Sequence, residues 1–361
     1  MHEIDNSFEN NRNSNLSLVS PLEFFSYLHQ NIPQAKTRAW VQTMNFEADH
    51  FTGLIQHMLT NAANRGIDTR FTADYFYKMV TDGNIDYIPA ASSTERSYRS
   101  FRRSLKYDLV SRLQDAGVEV NITNPPKNIG QRIVPAKGRN HIKMAIIDDV
   151  AFVGGINLSD KDFSRKDFMI KVIQPEFVLA LAQVYQEGRP EDDYSIVMGN
   201  TSLLVDSGRP NKSLILDSAL NLISTAKSSV IVTSQFTPDG KLPQRIDQAS
   251  KKGIQAEVIV SAPNKISEPP AWLFDRINAL TLRMRRHDFS ILECNDWLHV
   301  KVILIDEGTT SAKVLVGTHN FSEKGVKWGN QEVSLLSTDS VLIDNISKYI
   351  DGLKEAAILR T

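Results

Sequence analysis

The stretch HIKMAIID at 141–148 returns as HVKVILID at 299–306, so a His, a Lys two residues later and an Asp five further on occur twice at one spacing. The neighbouring segments repeat in the same order. QAKTRAWVQTMNF (34–46) answers TAKSSVIVTSQF (225–236), each a helix end, Ala-Lys and an apolar strand. AANRGIDTRFTAD (62–74) answers ASKKGIQAEVIVSA (249–262), with Gly66 opposite Gly253 as helix stops. FVGGINLS (152–159) answers LVGTHNFS (315–322), which sets Asn157 opposite Asn320. KDFMIKV (166–172) answers NQEVSLL (330–336), which sets Asp167 opposite Glu332. Helices are expected over Pro175–Gln186 and Asp339–Leu353, closing each half, with a polar join at 186–194. The chain is an internal duplication with expected domains at 17–190 and 195–361. Strands alternating with helices predict α/β halves whose sheets are covered by helices.

At 361 residues the chain is long enough for two cores. Apolar residues at 41% and charged residues at 23% fit a soluble globular protein, and a net charge of −1 offers no global field for nucleic acid. Any anion site must therefore be local. Cys294 is the only cysteine, so a disulfide framework and a cysteine-based metal cluster are excluded. Its expected place is a buried strand. The polar start MHEIDNSFENNRNSNLS has no signal-peptide pattern and no apolar run approaches a membrane span. The expected location is cytoplasmic, with peripheral attachment to a membrane left open.

His-x-Lys, four residues and Asp, followed by Gly-[Gly/Ser/Thr]-x-Asn and an acidic residue, resembles the signature of the phospholipase D superfamily. It occurs here twice, and the resemblance runs from about Pro21 to near the end of the chain. It implies two mixed-sheet halves flanked by helices, packed about a pseudo-twofold axis around one shared site. It also implies phosphodiester chemistry through a phosphohistidine, with no metal and no cofactor. The two-motif architecture most resembles the bacterial cardiolipin synthase group, and the runner-up is a nuclease of the same superfamily. With both motifs in one chain, a monomer is expected. By resemblance His141 is the nucleophile and His299 the acid/base.

Residue chemistry supports the same site. On a strand His141 and Lys143 face one way, as do His299 and Lys301. The two lysines with Asn157 and Asn320 can bind the anionic oxygens of a phosphodiester. One imidazole can attack phosphorus and the other can protonate the leaving oxygen. Asp167 and Glu332 are suited to hold each ring's other nitrogen. Asp148 and Asp306 sit at an odd offset from their lysines, face away, and are expected to be structural. Gly155 and Thr318 occupy matching positions and are expected to touch phosphate, with Gly155 lacking one such contact. Ser159 and Ser322 are expected to cap helices.

Gly66 and Gly253 lie 187 residues apart but His141 and His299 only 158, so the first half holds 29 extra residues. Within them RSYRSFRRSLKYDLVSRL (96–113) places Phe101, Leu105, Leu109 and Leu113 on one helical stripe. Arg99, Arg102, Arg103 and Lys106 fall largely elsewhere and form a candidate surface for anionic lipid head groups or a nucleic-acid backbone, against a plain solvated face. Trp272, Leu273 and Phe274, just after two prolines, are expected to start a helix packed on the sheet rather than to form a membrane-dipping loop. MRRH (284–287) adds a small basic cluster.

Overall fold

The computed structural model describes residues 15–81, 84–85, 92–127, 137–262, 271–284 and 287–359. The first half supplies β1 (Leu16–Val19), β2 (Arg38–Thr43), β3 (Asp68–Asp74), a short hairpin β4 (Val80–Thr81) and β5 (Asn84–Ile85), then β6 (Glu119–Thr123), β7 (Met144–Ile147), β8 (Val150–Gly154) and β9 (Met169–Val172). The second supplies β10 (Tyr194–Met198), β11 (Thr201–Ser207), β12 (Ser229–Ser234), β13 (Gln255–Ser261), β14 (Ser290–Cys294), β15 (Val302–Ile305), β16 (Lys313–Gly317), β17 (Gln331–Ser337) and β18 (Ala357–Leu359). Among the described residues the first sheet runs β1-β9-β8-β7-β2-β3-β6 and the second β10-β11-β17-β16-β15-β12-β13-β14-β18. The order β9-β8-β7-β2-β3-β6 maps strand for strand onto β17-β16-β15-β12-β13-β14. Each sheet is mixed: β2 runs parallel to β3 and antiparallel to β7, as β12 does to β13 and β15.

The helices are α1 (Pro21–Asn31), α2 (His50–Asn64), α3 (Ser93–Asp115), α4 (Asp160–Phe163), α5 (Pro175–Glu187), α6 (Leu214–Thr225), α7 (Lys241–Ser250), α8 (Ala271–Met284), α9 (Glu323–Trp328) and α10 (Ser340–Glu355). Strand alternation divides the apolar side chains among three cores. Met144 and Ile146 of β7 and Val302 and Leu304 of β15 face a central core shared with α5 and α10. Ala145 and Ile147 face an outer core beneath α1, α2 and α3. Ile303 and Ile305 face the opposite outer core beneath α6 and α7. The two sheets thus sandwich one pair of helices, one from each half, which fixes the halves against each other.

Local chemistry sets the element ends. Ser20 and Glu23 form a reciprocal capping box with Pro21 in the first turn of α1. Gly66 and Gly253 follow α2 and α7 with φ of 81° and 85°, the left-handed conformation that frees the chain to turn into the next strand. Asp148 and Asp306 are also left-handed, at φ 48° and 54°. Their carboxylates accept the backbone N–H groups of Lys36, Thr37 and Arg38, and of Lys227 and Ser228, pinning the entrance of β2 and of β12. Their expected structural role has this backbone capture as its physical content.

Four expectations need correction. The motif strands begin at Met144 and Val302, so His141–Lys143 and His299–Lys301 are extended lead-in segments rather than strand residues. Their backbone partners lie in the opposite half, as described below. The stripe on α3 is core-facing only toward its end: Leu109 and Leu113 are buried, but Phe101 is 60% exposed. Lys106, expected on the solvated or ligand-facing side, is buried against Glu47 at 2.9 Å, because its ammonium also finds the carbonyls of Tyr77 and Val80. Ser159 caps α4 through the N–H of Asp162. Ser322 does not cap α9, since its hydroxyl donates to Asp239, whose other oxygen takes the N–H of Glu323. A helix does start at Ala271, in place of a loop. The side chains of Trp272, Leu273 and Phe274, the preceding prolines, and Arg285 and Arg286 lie outside the described residues.

Candidate active site

Gln42 at the end of β2 pairs with Met144 at the start of β7, and Thr233 near the end of β12 pairs with Val302 at the start of β15. The edge where the parallel strands end is therefore the edge where each His-x-Lys segment enters. Each segment then bonds to the acidic strand of the other half. The N–H of His141 donates to the carbonyl of Gln331 (2.9 Å), and Gln331 N–H donates back to Arg139 (2.8 Å). His299 N–H donates to Lys166 (2.9 Å), and Lys166 N–H donates to Trp297 (3.1 Å). The two exchanges are related by the duplication.

Side chains follow the same exchange. Nδ1 of His141 lies 2.9 Å from Oε2 of Glu332 and 3.0 Å from the carbonyl of Thr318. Both partners are acceptors, so Nδ1 carries the proton and Nε2 of the neutral ring holds the lone pair. Nδ1 of His299 lies 2.7 Å from Oδ2 of Asp167. Lys143 and Lys301 are 0% and 1% exposed, and each ammonium donates to the carbonyl of its own motif histidine. Asn157 is buried, and its Oδ1 accepts from Thr43 and the N–H of Asn45, both at 3.4 Å. Asn320 is half-buried and its Oδ1 is enclosed without a hydrogen-bond partner among the described residues.

Gly155 and Thr318 do not aim at a ligand. The Thr318 hydroxyl donates to Glu332 (2.5 Å), so it props the carboxylate that holds His141. At Gly155 a Cβ would sit 2.2 Å from Oδ2 of Asp167, so glycine lets that carboxylate pack against the backbone. What the first half lacks relative to the second is a hydroxyl on its carboxylate, not a phosphate contact. Arg99 pairs with Glu95 one turn earlier, and Arg102 donates to the carbonyl of Ala48 beside Glu47. Arg103, on the same helix, is half-buried.

Burial governs the electrostatics. It pushes Lys143 down to about 7 and Lys301 to about 8, against the pull of Glu332 and Asp167. Burial also lowers His141, with Glu332 opposing, and lowers His299 well below the usual imidazole value, with Lys301 and Arg165 adding to the effect. Each histidine is further depressed by the lysine of the other half, which places both lysines and both imidazoles around one site. The carboxylates differ. Burial raises Asp167, whereas at Glu332 the combined pull of His141, His319 and Lys143 outweighs burial and holds it below the usual range.

Some neighbours carried no signal in the duplicated pattern. Arg165 is buried, bonds to Asp162 at 2.6 Å and stacks 3.9 Å from the Trp297 ring, adding a fixed cation beside His299. In the first half Arg139, also buried, pairs with Asp74 at 2.9 Å, and Asp74 takes the N–H of Asn140. Both arginines sit two residues before a motif position, a spacing that becomes meaningful only once the site residues are placed. His319 is buried between Thr318 and Asn320, and its Nδ1 accepts the N–H of Phe321. Among the described residues no group of three His, Cys, Asp or Glu side chains is arranged to hold a metal ion. No described helix is long and apolar enough to cross a membrane.

Comparisons with known proteins bear on the family and the fold. The profile of the family described as "Cardiolipin synthase, PLD-like domain" matches residues 28–187 and 219–354. A probable cardiolipin synthase of Bacillus subtilis (strain 168), YwiE, is 22% identical over 94% of this chain and 66% of its own length. The minor cardiolipin synthase ClsB of the same organism is 22% identical over 71% of this chain and 66% of its own length. The chain thus spans just under two thirds of the length of either relative. In fold it is similar to the crystal structure of phosphatidylserine synthase from Haemophilus influenzae Rd KW20, with a TM-score of 0.72 at 12% identity, covering 96% of this chain and 87% of that one. With the profile matching both halves and the doubled motif complete in each, the chain belongs to the family of cardiolipin synthase phospholipase D-like domains.

Proposed function

We propose that the protein is a phosphatidyl-transferring enzyme that exchanges or hydrolyses a phospholipid phosphodiester through a phosphohistidine. The observation that carries this reading is the crossed pair of imidazoles, His141 on Glu332 and His299 on Asp167, beside two fully buried lysines. Nε2 of His141 attacks phosphorus while the bond to the leaving oxygen breaks, and His299, which takes up a proton once the anionic phosphodiester offsets the burial and the Lys301 charge that depress it, gives that oxygen its proton. His299 then takes a proton from an incoming alcohol or water, whose oxygen displaces His141 from phosphorus. Phosphorylation leaves the His141 ring cationic. Glu332, held ionised and propped by Thr318, is the better of the two carboxylates to offset that charge. Asp167, raised by burial, shares a proton with His299 more readily, which suits an acid/base. The lysines and the amides of Asn157 and Asn320 bind the non-bridging oxygens.

The test is incubation with phosphatidylglycerol and, separately, with single-stranded DNA. Formation of cardiolipin or phosphatidic acid with intact DNA is expected. Cut DNA with untouched lipid would replace the lipid reading with a nuclease, and no change in either would leave an anion-binding module.

A further inference from the structure

Helix α3 is longer than the sheet it covers. Its C-terminal part packs on the outer core through Leu109, Val110 and Leu113. Lys106 anchors its middle to Glu47, Tyr77 and Val80, residues that follow the ends of β2 and β3 at the active-site edge. The helix runs from that edge to the opposite one, where β6 begins alongside β3. Residues 93–105 therefore lie beyond the strand ends, alongside the loop at Ala48, and span roughly 20 Å at 1.5 Å per residue. None of the thirteen is buried.

The composition of this overhang is unlike the rest of the chain. It carries four arginines (96, 99, 102 and 103) against one acid, Glu95, a net of +3 in a protein of net charge −1. Tyr98 and Phe101 are 53% and 60% exposed, one turn apart on the face that leads to half-buried Leu105. A solvated helix face has no use for exposed rings at that spacing. The second half presents a smaller counterpart. Asp275 near the start of α8 takes the N–H of Thr237 beyond the end of β12, which places that helix start at the same edge. Ile277 and Leu280 on α8, again one turn apart, are 50% and 58% exposed.

We propose that the overhanging half of α3, aided by the exposed pair on α8, docks the protein on an anionic phospholipid bilayer with the active-site edge facing the lipid. The inference rests on the lipid reading above and names the surface that delivers the substrate. Arginine charge complements anionic head groups, and the rings enter the interface where an amphipathic aromatic is favoured. Nucleic acid would be served by the charge but gives the exposed Ile277 and Leu280 nothing to do.

The experiment is flotation of the full chain with vesicles of phosphatidylglycerol and phosphatidylcholine, with pure phosphatidylcholine as control, at low and high salt. The variant combines Arg96→Gln, Tyr98→Ser and Phe101→Ser, exposed positions outside the catalytic group. The wild type is expected to float with the anionic vesicles only, and the variant to lose about tenfold or more of that partition. Its thermal midpoint and its turnover of a soluble nitrophenyl phosphodiester should stay unchanged. Undiminished flotation of the variant overturns the docking surface, as does equal loss of soluble turnover, or tighter wild-type binding to single-stranded DNA than to the vesicles. Flotation is read without turnover. Vesicles bound through α3 but left chemically unchanged would sink the proposed reaction and keep the docking surface.

Discussion

Glu332, in the second half of the chain, holds Nδ1 of His141, in the first, at 2.9 Å, while Asp167 in the first half holds His299 in the second at 2.7 Å. Neither half contains a complete histidine–carboxylate pair. Substitution of an acid should therefore disable the histidine of the opposite half. With an activated nitrophenyl phosphodiester, Glu332→Gln is expected to slow the first release of nitrophenol by roughly 100-fold or more, since the attacking ring loses its tautomer and its counter-charge. Asp167→Asn should leave that first release nearly intact and slow the steady state. Stopped-flow traces separate the two, and the reverse pattern would exchange the roles of the histidines.

Substitution of the histidines themselves gives a sharper version. A nitrophenolate leaves without a proton, so His299→Asn should still be attacked by His141 but fail to resolve the intermediate. A burst near one equivalent per enzyme and an acid-labile phosphoprotein are expected. His141→Asn should give neither. A burst from His141→Asn instead would make His299 the nucleophile.

Lys143 links activity to stability. Burial lowers its folded value to about 7, far below that of an exposed lysine in the unfolded chain. Between those two values the unfolded state binds the extra proton, so this group makes stability rise as pH rises. The cost is fully present below about pH 7. Lys143→Met should therefore raise the thermal midpoint, most at pH 6 and little near pH 10, while abolishing turnover. For the wild type, kcat/KM should fall as pH rises through about 7 to 8, as Lys143 and then Lys301 lose the charge that binds phosphate. A lower midpoint for the variant at pH 6 would show the lysine to be net stabilising.

Gly155 tests the support of Asp167. A Cβ there meets Oδ2 at 2.2 Å and Oδ1 at 2.7 Å, so Gly155→Ala must push the carboxylate off His299. A loss in kcat of about 10- to 100-fold is expected, with KM little changed. Thr318→Ala, which removes a prop without moving a carboxylate, should cost less. Steady-state kinetics of both variants decide it.

The site chemistry calls on imidazoles and ammonium groups alone, so turnover should survive an excess of chelator. Complete loss, restored by a divalent ion, would overturn the mechanism proposed above.

The duplicated octets, the paired glycine stops and the doubled Gly-x-x-Asn made the two sheets and the motif residues legible before any coordinates. The crossing was not legible, because a symmetric repeat pairs His141 equally well with Asp167 or Glu332. Only the exchange of backbone bonds between Gln331 and the residues flanking Asn140 selects the partner. Lys106 was misplaced for a related reason: its acid, Glu47, is 59 residues away and no local period points to it. Ser322 has the residue type and position of a cap, but Asp239 competes for its hydroxyl. Thr318 and Gly155 read as ligand contacts since their spacing matches, while their true partners are the carboxylates behind the histidines.

A site built from two copies of one motif cannot by itself tell its two ends apart, and a phosphodiester could lie across it in either direction with equal ease. The long helix α3, at 23 residues, has only the 14-residue α8 as its counterpart between the matching strands of the second half. The two halves thus flank the active-site edge unequally, with the longer helix on the side of the first. For the reaction proposed above, that inequality would give direction to chemistry that the duplication alone would leave reversible end for end.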